Sequence, residues 1–282
     1  MGGTMKFGVS TFVTDEGIHP TEFARALEER GFESLFVPEH SHIPVNEQTW
    51  PDGSRLPRVY SRSLDPFVTL SAAAAVTERL RLGTGIVLAV QRDPITLAKE
   101  VASLDHLSGG RMVLGIGSGW NRTEMRNHGT DPATRLALLR ERVLAMKEIW
   151  TKDEAEFHGR YVDFGPILSW PKPKQRPHPP ILLGGGGPTT FARIVEYGDG
   201  WLAPPGLSLD KLTHGIRELQ RLARDRGRED VSVTAYLSPG AEAADVARLA
   251  EHGVERVLFG IDTAPRDETL RTLDELTKLI SS

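Results

Sequence analysis

The sequence predicts an α/β fold, a (β/α)8 TIM barrel, on three observations. Short apolar strand patterns alternate with helical patterns eight times along the chain. Glycine, proline and helix-capping residues fall at the boundaries between them. The length of 282 residues suits one such barrel. A doubly wound sheet of similar size is the competing topology.

Lys6 to Phe12 reads as the first strand, entered from a loose Met1 to Thr4. Pro20 opens a helix in which Phe23, Ala26 and Leu27 share a face, and Gly31 stops it. Ser34 to Val37 is the second strand, ended by Pro38. A polar loop over residues 39–64 follows, carrying Pro44, Pro51, Gly53 and Pro57. Loops of this length in a compact domain are usually lids or binding loops. Asp65-Pro66 then opens an Ala-rich helix to Thr77, as N-cap and first helical residue. Leu80 to Leu88 is the third strand, interrupted by Gly83 and Gly85, and Asp93-Pro94 repeats the cap-plus-proline signal before a helix to Leu107.

Met112 to Ile116 reads as the fourth strand, and Ala133 to Trp150 as a long amphipathic helix. Residues 151–180 break the rhythm with a hairpin at Glu156 to Phe164 and a run of prolines. They read as an insertion at the C-terminal end of the barrel, the end that holds Gly117 and Gly185. Ile181 to Leu183 is the fifth strand, leading through Gly184-Gly-Gly-Gly-Pro188 into a helix over Thr189 to Tyr197. The sixth strand is Gly200 to Ala203, the seventh Val231 to Tyr236 and the eighth Arg256 to Phe259. Helices are expected at Asp210 to Arg226, Ala243 to His252 and Pro265 to Leu279. The whole chain, 1–282, reads as one domain.

Composition excludes several classes. With 34 basic and 38 acidic residues the net charge is −4, so there is no basic signature for nucleic acid or an anionic membrane. No apolar run approaches the roughly 20 residues of a membrane span, and the N-terminus lacks a signal-peptide core. The absence of cysteine removes disulfides, thiolate metal sites and cysteine nucleophiles. The expected location is the cytoplasm.

Barrel chemistry sits on the loops after the strands' C-terminal ends. The candidate residues are therefore Phe12, Glu39, His40, Gly85, Ile86, Gly117, Ser118, Gly119, Trp120, Gly184, Gly185, Gly186, Gly187, Pro204 and Asp262. The fourth strand passes without a polar run into Gly115, Gly117 and Gly119, then Trp120 and Asn121. Bare backbone followed by a flat ring fits the floor of a ligand site, or tight packing at a strand exit. A dinucleotide fingerprint fails because Trp120 takes the place of its third glycine. A nucleophile elbow fails because Ile116 and Trp120 flank Ser118 where glycines are needed.

His40-Ser-His42 has the spacing of a metal-binding pair, but such a site needs ligands from other strand ends. The fifth strand ends in glycines and the sixth in Ala203-Pro204-Pro205, so no metal is expected. Glu39 and Asp262 are the acids at strand ends, with no pattern that joins them; Glu39 is as well suited to a salt bridge in the barrel mouth. Gly184 to Gly187 precedes a helix with Thr189 and Thr190 in its first turn. Backbone N–H groups, two hydroxyls and the helix dipole can converge there on a phosphate. A plain tight turn is the alternative, though it does not need four glycines.

Taken together, Gly31-Phe-Glu-Ser-Leu-Phe-Val-Pro-Glu-His40, Leu82-Gly-Thr-Gly-Ile86 and Leu104-Asp-His-Leu-Ser-Gly-Gly-Arg-Met-Val-Leu-Gly-Ile-Gly-Ser-Gly-Trp-Asn121 resemble the bacterial-luciferase-like superfamily, in its coenzyme F-420-dependent oxidoreductase branch. Phe157-x-Gly159, Pro179 to Gly187 and Gly198-Asp-Gly-Trp201 extend the resemblance over the chain. It implies a flat cofactor across the barrel mouth, either the deazaflavin coenzyme F-420 or flavin mononucleotide (FMN). His40 takes the place of the acid–base residue. Gly85 and Ile86 match a bulge with a non-proline cis peptide against which the ring rests and is bent. Gly117, Ser118 and Gly119 line the far side of the ring, and Gly185 to Gly187 hold the phosphate. Trp120 and Glu39 depart from the glutamate and aspartate of some deazaflavin dehydrogenases, which points away from a sugar phosphate and toward a more hydrophobic substrate.

The resemblance thus implies hydride transfer between coenzyme F-420 and a small organic substrate. An FMN-dependent monooxygenase served by a separate reductase is the alternative, and a flavin-binding protein without turnover a third reading. A homodimer is left open.

Overall fold

Eight parallel strands close on themselves in a computed structural model that describes residues 5–50, 52–229, 231–237, 240 and 242–280. Met1 to Thr4 and Pro51 lie outside the described residues. The strands are β1 (Lys6–Ser10), β2 (Ser34–Val37), β3 (Arg81–Thr84), β4 (Met112–Gly117), β5 (Ile181–Gly184), β6 (Gly200–Leu202), β7 (Ser232–Leu237) and β8 (Arg256–Gly260). Each pairs with the next in sequence, and β8 returns to β1 with Arg256 opposite Lys6 and Gly260 opposite Ser10. The closed barrel is the expected topology, and the competing open sheet is excluded.

Around it lie α1 (Pro20–Glu29), α2 (Pro66–Ala74), α3 (Pro94–Leu107), α4 (Arg122–Asn127), α5 (Arg135–Thr151), α6 (Thr190–Tyr197), α7 (Leu209–Asp225), α8 (Ala243–Glu251) and α9 (Arg266–Ile280). The two cap-plus-proline signals work as read. Asp65 accepts from Phe67 N and Val68 N at 2.8 and 3.0 Å, and Asp93 accepts from Thr96 N at 2.8 Å.

Alternation along each strand divides the core in two. Leu35, Leu114, Ile181 and Val257 face the helices, while Phe36, Val113, Leu182, Leu202 and Leu258 fill the barrel, with Ile86 and Tyr236 packed on them. Burial on both faces explains why these strands read as continuous apolar runs. Arg256 enters the barrel from β8, and its guanidinium donates to both Glu33 oxygens at 2.8 and 2.9 Å. Burial alone would raise the Glu33 carboxyl, yet the Arg256 bonds hold it below its ordinary range.

Three expectations need correction. The third strand does not run from Leu80 to Leu88: β3 stays on β2 through Thr84, and Val87 and Leu88 then pair with β4 alone. The chain leaves the ladder between them at Gly85–Ile86, which is joined by a cis peptide. A short helix, α4, was not anticipated. Asn121 caps it, accepting from Thr123 N at 3.1 Å and Glu124 N at 3.0 Å.

The third correction concerns the insertions. The loop over residues 39–64 does leave from the C-terminal end of β2. Residues 151–180 do not share that end, because they follow α5, which has already carried the chain back to the strands' N-terminal end. Lys172 Nζ donates to Ile149 O at 2.7 Å at the end of α5. Gln175 Nε2 donates to the carbonyl of Met112, where β4 starts, at 2.8 Å. The hairpin Glu154–His158 with Asp163–Leu168 turns back along α5, where Glu141 accepts from Tyr161 N and Val162 N at 2.6 and 2.9 Å.

Candidate functional site

His40 lies three residues past the C-terminal end of β2, buried to 8 % exposure, and its Nδ1 lies 2.9 Å from Glu124 Oε2 on α4. Glu124 is fully buried, and its second oxygen has no partner among the described residues. A carboxylate only accepts, so the bond places the imidazole proton on Nδ1. Nε2, across the ring, is left as the acceptor, and no hydrogen-bond partner meets it among the described residues. Trp120 stands edge-on to the ring at 5.8 Å between centroids, and Phe12 lies 6.5 Å away. Glu124 was missing from the candidates. Its signal was present, since Asn121 followed three residues later by Glu124 has the spacing of a capping box; here the glutamate turns to His40 instead.

Glu39, the neighbour, is consumed by structure. Its carboxylate accepts from Leu88 N at 2.6 Å and from Arg92 Nε at 2.7 Å, with a second Arg92 contact. Arg92 also pairs with Asp65 and with Glu100. Burial by itself would lower the Arg92 guanidinium, but Glu39 and Asp65 more than reverse this and raise it. Glu39 N donates to Ile86 O at 3.2 Å, which ties the His40 end of β2 to the cis segment. Asp262 is exposed, so the two strand-end acids do not work as a pair.

The glycines divide by role. A Cβ at Gly115 would overlap the carbonyl oxygen of Thr84, whose Oγ1 donates to Gly115 O at 2.6 Å, so packing governs that position. At Gly117 a Cβ would strike Ile86 Cδ1, and at Gly184 it would lie 3.1 Å from Ile86 Cγ2. These two glycines make room for Ile86, whose side chain spans the ends of β4 and β5. Gly119 turns the chain with φ +72°, between half-buried Ser118 and Trp120. A Cβ at Gly85 would come 3.3 Å from the hydroxyl of Tyr236, a residue the sequence reading passed over at the end of β7. Burial pushes that hydroxyl up to about 12, so it stays a neutral donor.

At the fifth strand end, Gly185 has φ +115° and its carbonyl accepts from Trp201 Nε1 at 2.8 Å. No side chain caps the N-terminus of α6, which leaves first-turn N–H groups for an anion. Arg193, one turn along α6, donates to Thr189 Oγ1 and to Thr190 Oγ1, the latter at 3.2 Å. This places a guanidinium at the glycine cradle, a cation the sequence reading did not identify. The donor set of first-turn N–H groups, two threonine hydroxyls and a guanidinium fits a phosphate.

His42 belongs to the surface: it meets Ser41 Oγ and Asn127 Nδ2, each at 2.9 Å. Among the described residues no three His, Asp or Glu side chains gather as a metal site. No helix among them is long and apolar enough to cross a membrane.

A model of the family described as luciferase-like monooxygenase matches residues 5–281. The chain belongs to this family. An uncharacterized protein of Mycobacterium tuberculosis is 42% identical over 278 residues, covering 96% of this chain and 97% of that one. An F420-dependent glucose-6-phosphate dehydrogenase of Kineococcus radiotolerans is 30% identical over 225 residues, 77% of this chain and 63% of that protein. Among solved structures, the monooxygenase RslO1 from Streptomyces bottropensis superposes with a TM-score of 0.81 at 21% identity, over 97% of this chain and 98% of its own. Membership makes the protein a luciferase-like enzyme of oxidoreductase type. The cis peptide at Gly85–Ile86, implied by the family resemblance, is present.

Proposed function

We propose that the protein transfers a hydride between coenzyme F-420 and a small organic substrate, with His40 as the acid–base residue. The observation that carries this reading is the buried His40–Glu124 pair, which leaves Nε2 free to exchange a proton in the mouth. A sequence relative that is F420-dependent supports the choice of cofactor. The bound deazaflavin supplies two-electron hydride chemistry. In this reading Ile86 and Tyr236 meet the ring, and the backbone of Gly185 to Gly187, Thr190 and Arg193 hold the phosphate. Trp120 and Phe12 cover the substrate side beside His40.

The test is a titration of the purified protein with coenzyme F-420 and with FMN, followed by absorbance and fluorescence. Saturable binding of F-420, with FMN much weaker, is the expected result. Preferential binding of FMN, with oxygen uptake once it is reduced, replaces the reading with a monooxygenase fed by a separate reductase. A bound cofactor that no donor ever reduces leaves only a flavin-binding protein.

Gly187→Asp tests the phosphate site. Gly187 has no positive φ, and a Cβ there lies 3.9 Å from Thr190 Oγ1, in ordinary contact. The variant therefore folds, but its carboxylate takes the helix N–H groups and repels the phosphate. Affinity for F-420 is expected to fall by at least about tenfold, roughly the value of one charge-assisted contact. Unchanged affinity at unchanged melting temperature places the phosphate elsewhere.

A further inference from the structure

The glycine cradle does not end where a phosphate would end. Beyond Gly186 a cavity of about 340 Å³ opens between α6 and α7, within the roughly 300–1,000 Å³ of small-ligand sites. Its floor is apolar: Phe191 and Trp201 meet edge to face at 5.0 Å, beside Leu207. Its rim is polar and comes from the first two turns of α7, with Asp210, Lys211 and His214. All three rim side chains are exposed.

Two details tie the cavity to the cradle. Gly186 borders both. Trp201 forms part of the floor, and its Nε1 donates to the carbonyl of Gly185 at 2.8 Å. Gly215 lets that floor approach α7, since a Cβ there would lie 2.7 Å from Trp201 Cη2 and 2.9 Å from Phe191 Cζ. Glycine weakens a helix interior, and here it makes room for the two rings.

Charge separates this cavity from a plain packing gap. The ion pairs within α7 join Arg221 to Glu218 and Asp225, and none among the described residues takes Lys211. On α6, Arg193 has the hydroxyls of Thr189 and Thr190 as its hydrogen-bond partners, both neutral. Each helix bordering the Gly186 opening therefore brings a cation without a carboxylate. The one acid on the rim, Asp210, sits in the first turn of α7, where the helix dipole favours it. Its charge opposes an anion in the cavity and supplies a control of opposite sign.

We propose that the cavity is a second anion subsite, which takes a carboxylate on a flexible acyl chain continuing from the phosphate, with Lys211 as counter-ion. His214 adds an N–H donor, and Phe191, Trp201 and Leu207 cover the methylenes of the chain. The phosphate in the cradle is then a diester. A monoester such as FMN ends at the cradle, whereas the phosphate of coenzyme F-420 carries a second ester, a lactyl chain ending in glutamates. This assignment rests on the F-420 reading and deepens it, because selection between the two cofactors then occurs beyond the phosphate rather than at the ring.

Coenzyme F-420 and the same deazaflavin cut back to its phosphate monoester are titrated by fluorescence into wild type, Lys211→Glu and Asp210→Asn, at low and at high salt. F-420 is expected to bind wild type about tenfold more tightly than the monoester does. Lys211→Glu abolishes that advantage, and Asp210→Asn widens it by roughly two- to fivefold, the worth of one exposed charge. Salt shrinks it. The monoester binds all three proteins alike, because the cradle is untouched. Equal affinity of F-420 and monoester in wild type overturns the proposal. An advantage that survives in Lys211→Glu, with both ligands weakened alike or neither, overturns it as well. If the protein takes FMN and not F-420, the cofactor reading falls, and γ-glutamylglutamate titrated into FMN-loaded wild type and Lys211→Glu decides the subsite by itself. Binding to wild type alone keeps the subsite, and equal binding or none overturns it.

Discussion

His40→Ala is expected to lower turnover by roughly 10²–10⁴-fold, the usual contribution of a positioned general acid or base, with cofactor affinity little changed. The imidazole is held at one nitrogen by Glu124 at 2.9 Å, and the rings on its other sides are Tyr60 and Trp120. In the proposed reading, removing it deletes the proton-exchanging group without touching the glycine cradle. Glu124→Gln separates positioning from chemistry. The amide keeps the shape but loses the charge, and because it can donate as well as accept it no longer fixes the imidazole proton on Nδ1. The expected signature is a change of His40 tautomer in nitrogen-15 spectra of the resting protein, with a fall in kcat larger than any rise in KM. Full activity in His40→Ala would leave the histidine a structural role only. An unchanged tautomer together with an unchanged kcat in Glu124→Gln would remove Glu124 from the mechanism.

The barrel was legible because its signals are local. Parallel strands buried on both faces read as apolar runs, and glycine, proline and aspartate mark their ends within a few residues. Asp65 and Asp93 cap their helices as the sequence implies. The strand-end rule likewise located His40, Ile86 and Trp120. What the sequence did not disclose are partners brought together by folding. His40 and Glu124 stand 84 residues apart, and Glu39 and Arg92 stand 53 apart. No spacing in one chain encodes such pairs. Tyr60, beside His40, sits in a loop whose course no periodicity predicts, and Arg193 reaches the cradle only because α6 turns it back onto Thr189 and Thr190. The placement of residues 151–180 was within reach, however. A segment that follows a helix of this fold emerges at the strands' N-terminal end, and their richness in proline obscured that rule.

Arg92→Met is expected to destabilise the fold by about 3–5 kcal/mol, the cost of leaving a buried carboxylate without its counter-charge. Glu39 is 7 % exposed, and after the change it retains only the Leu88 N–H bond at 2.6 Å. Glu100 adds to the cost. Burial already raises its carboxyl despite the Arg92 charge at 3.1 Å, which opposes that shift. Methionine keeps much of the aliphatic stem, which limits the packing lost beside the Phe67 ring that the guanidinium now covers at 5.1 Å. The double variant Arg92→Met with Glu39→Gln isolates the electrostatic part, since it removes both charges and nearly preserves volume. It is expected to be more stable than Arg92→Met alone. Denaturant unfolding of the four proteins measures the cycle. A loss below about 1 kcal/mol in Arg92→Met would put this network with exposed surface pairs, whose worth is of that order. The consequence reaches the site, because Glu39 N holds the carbonyl of Ile86 at 3.2 Å while the next residue is His40. Freed from Arg92, the Glu39 side chain would turn toward solvent and pull this segment with it. The surviving folded fraction of Arg92→Met should therefore turn over more slowly than wild type, and the double variant should recover part of that rate together with its stability.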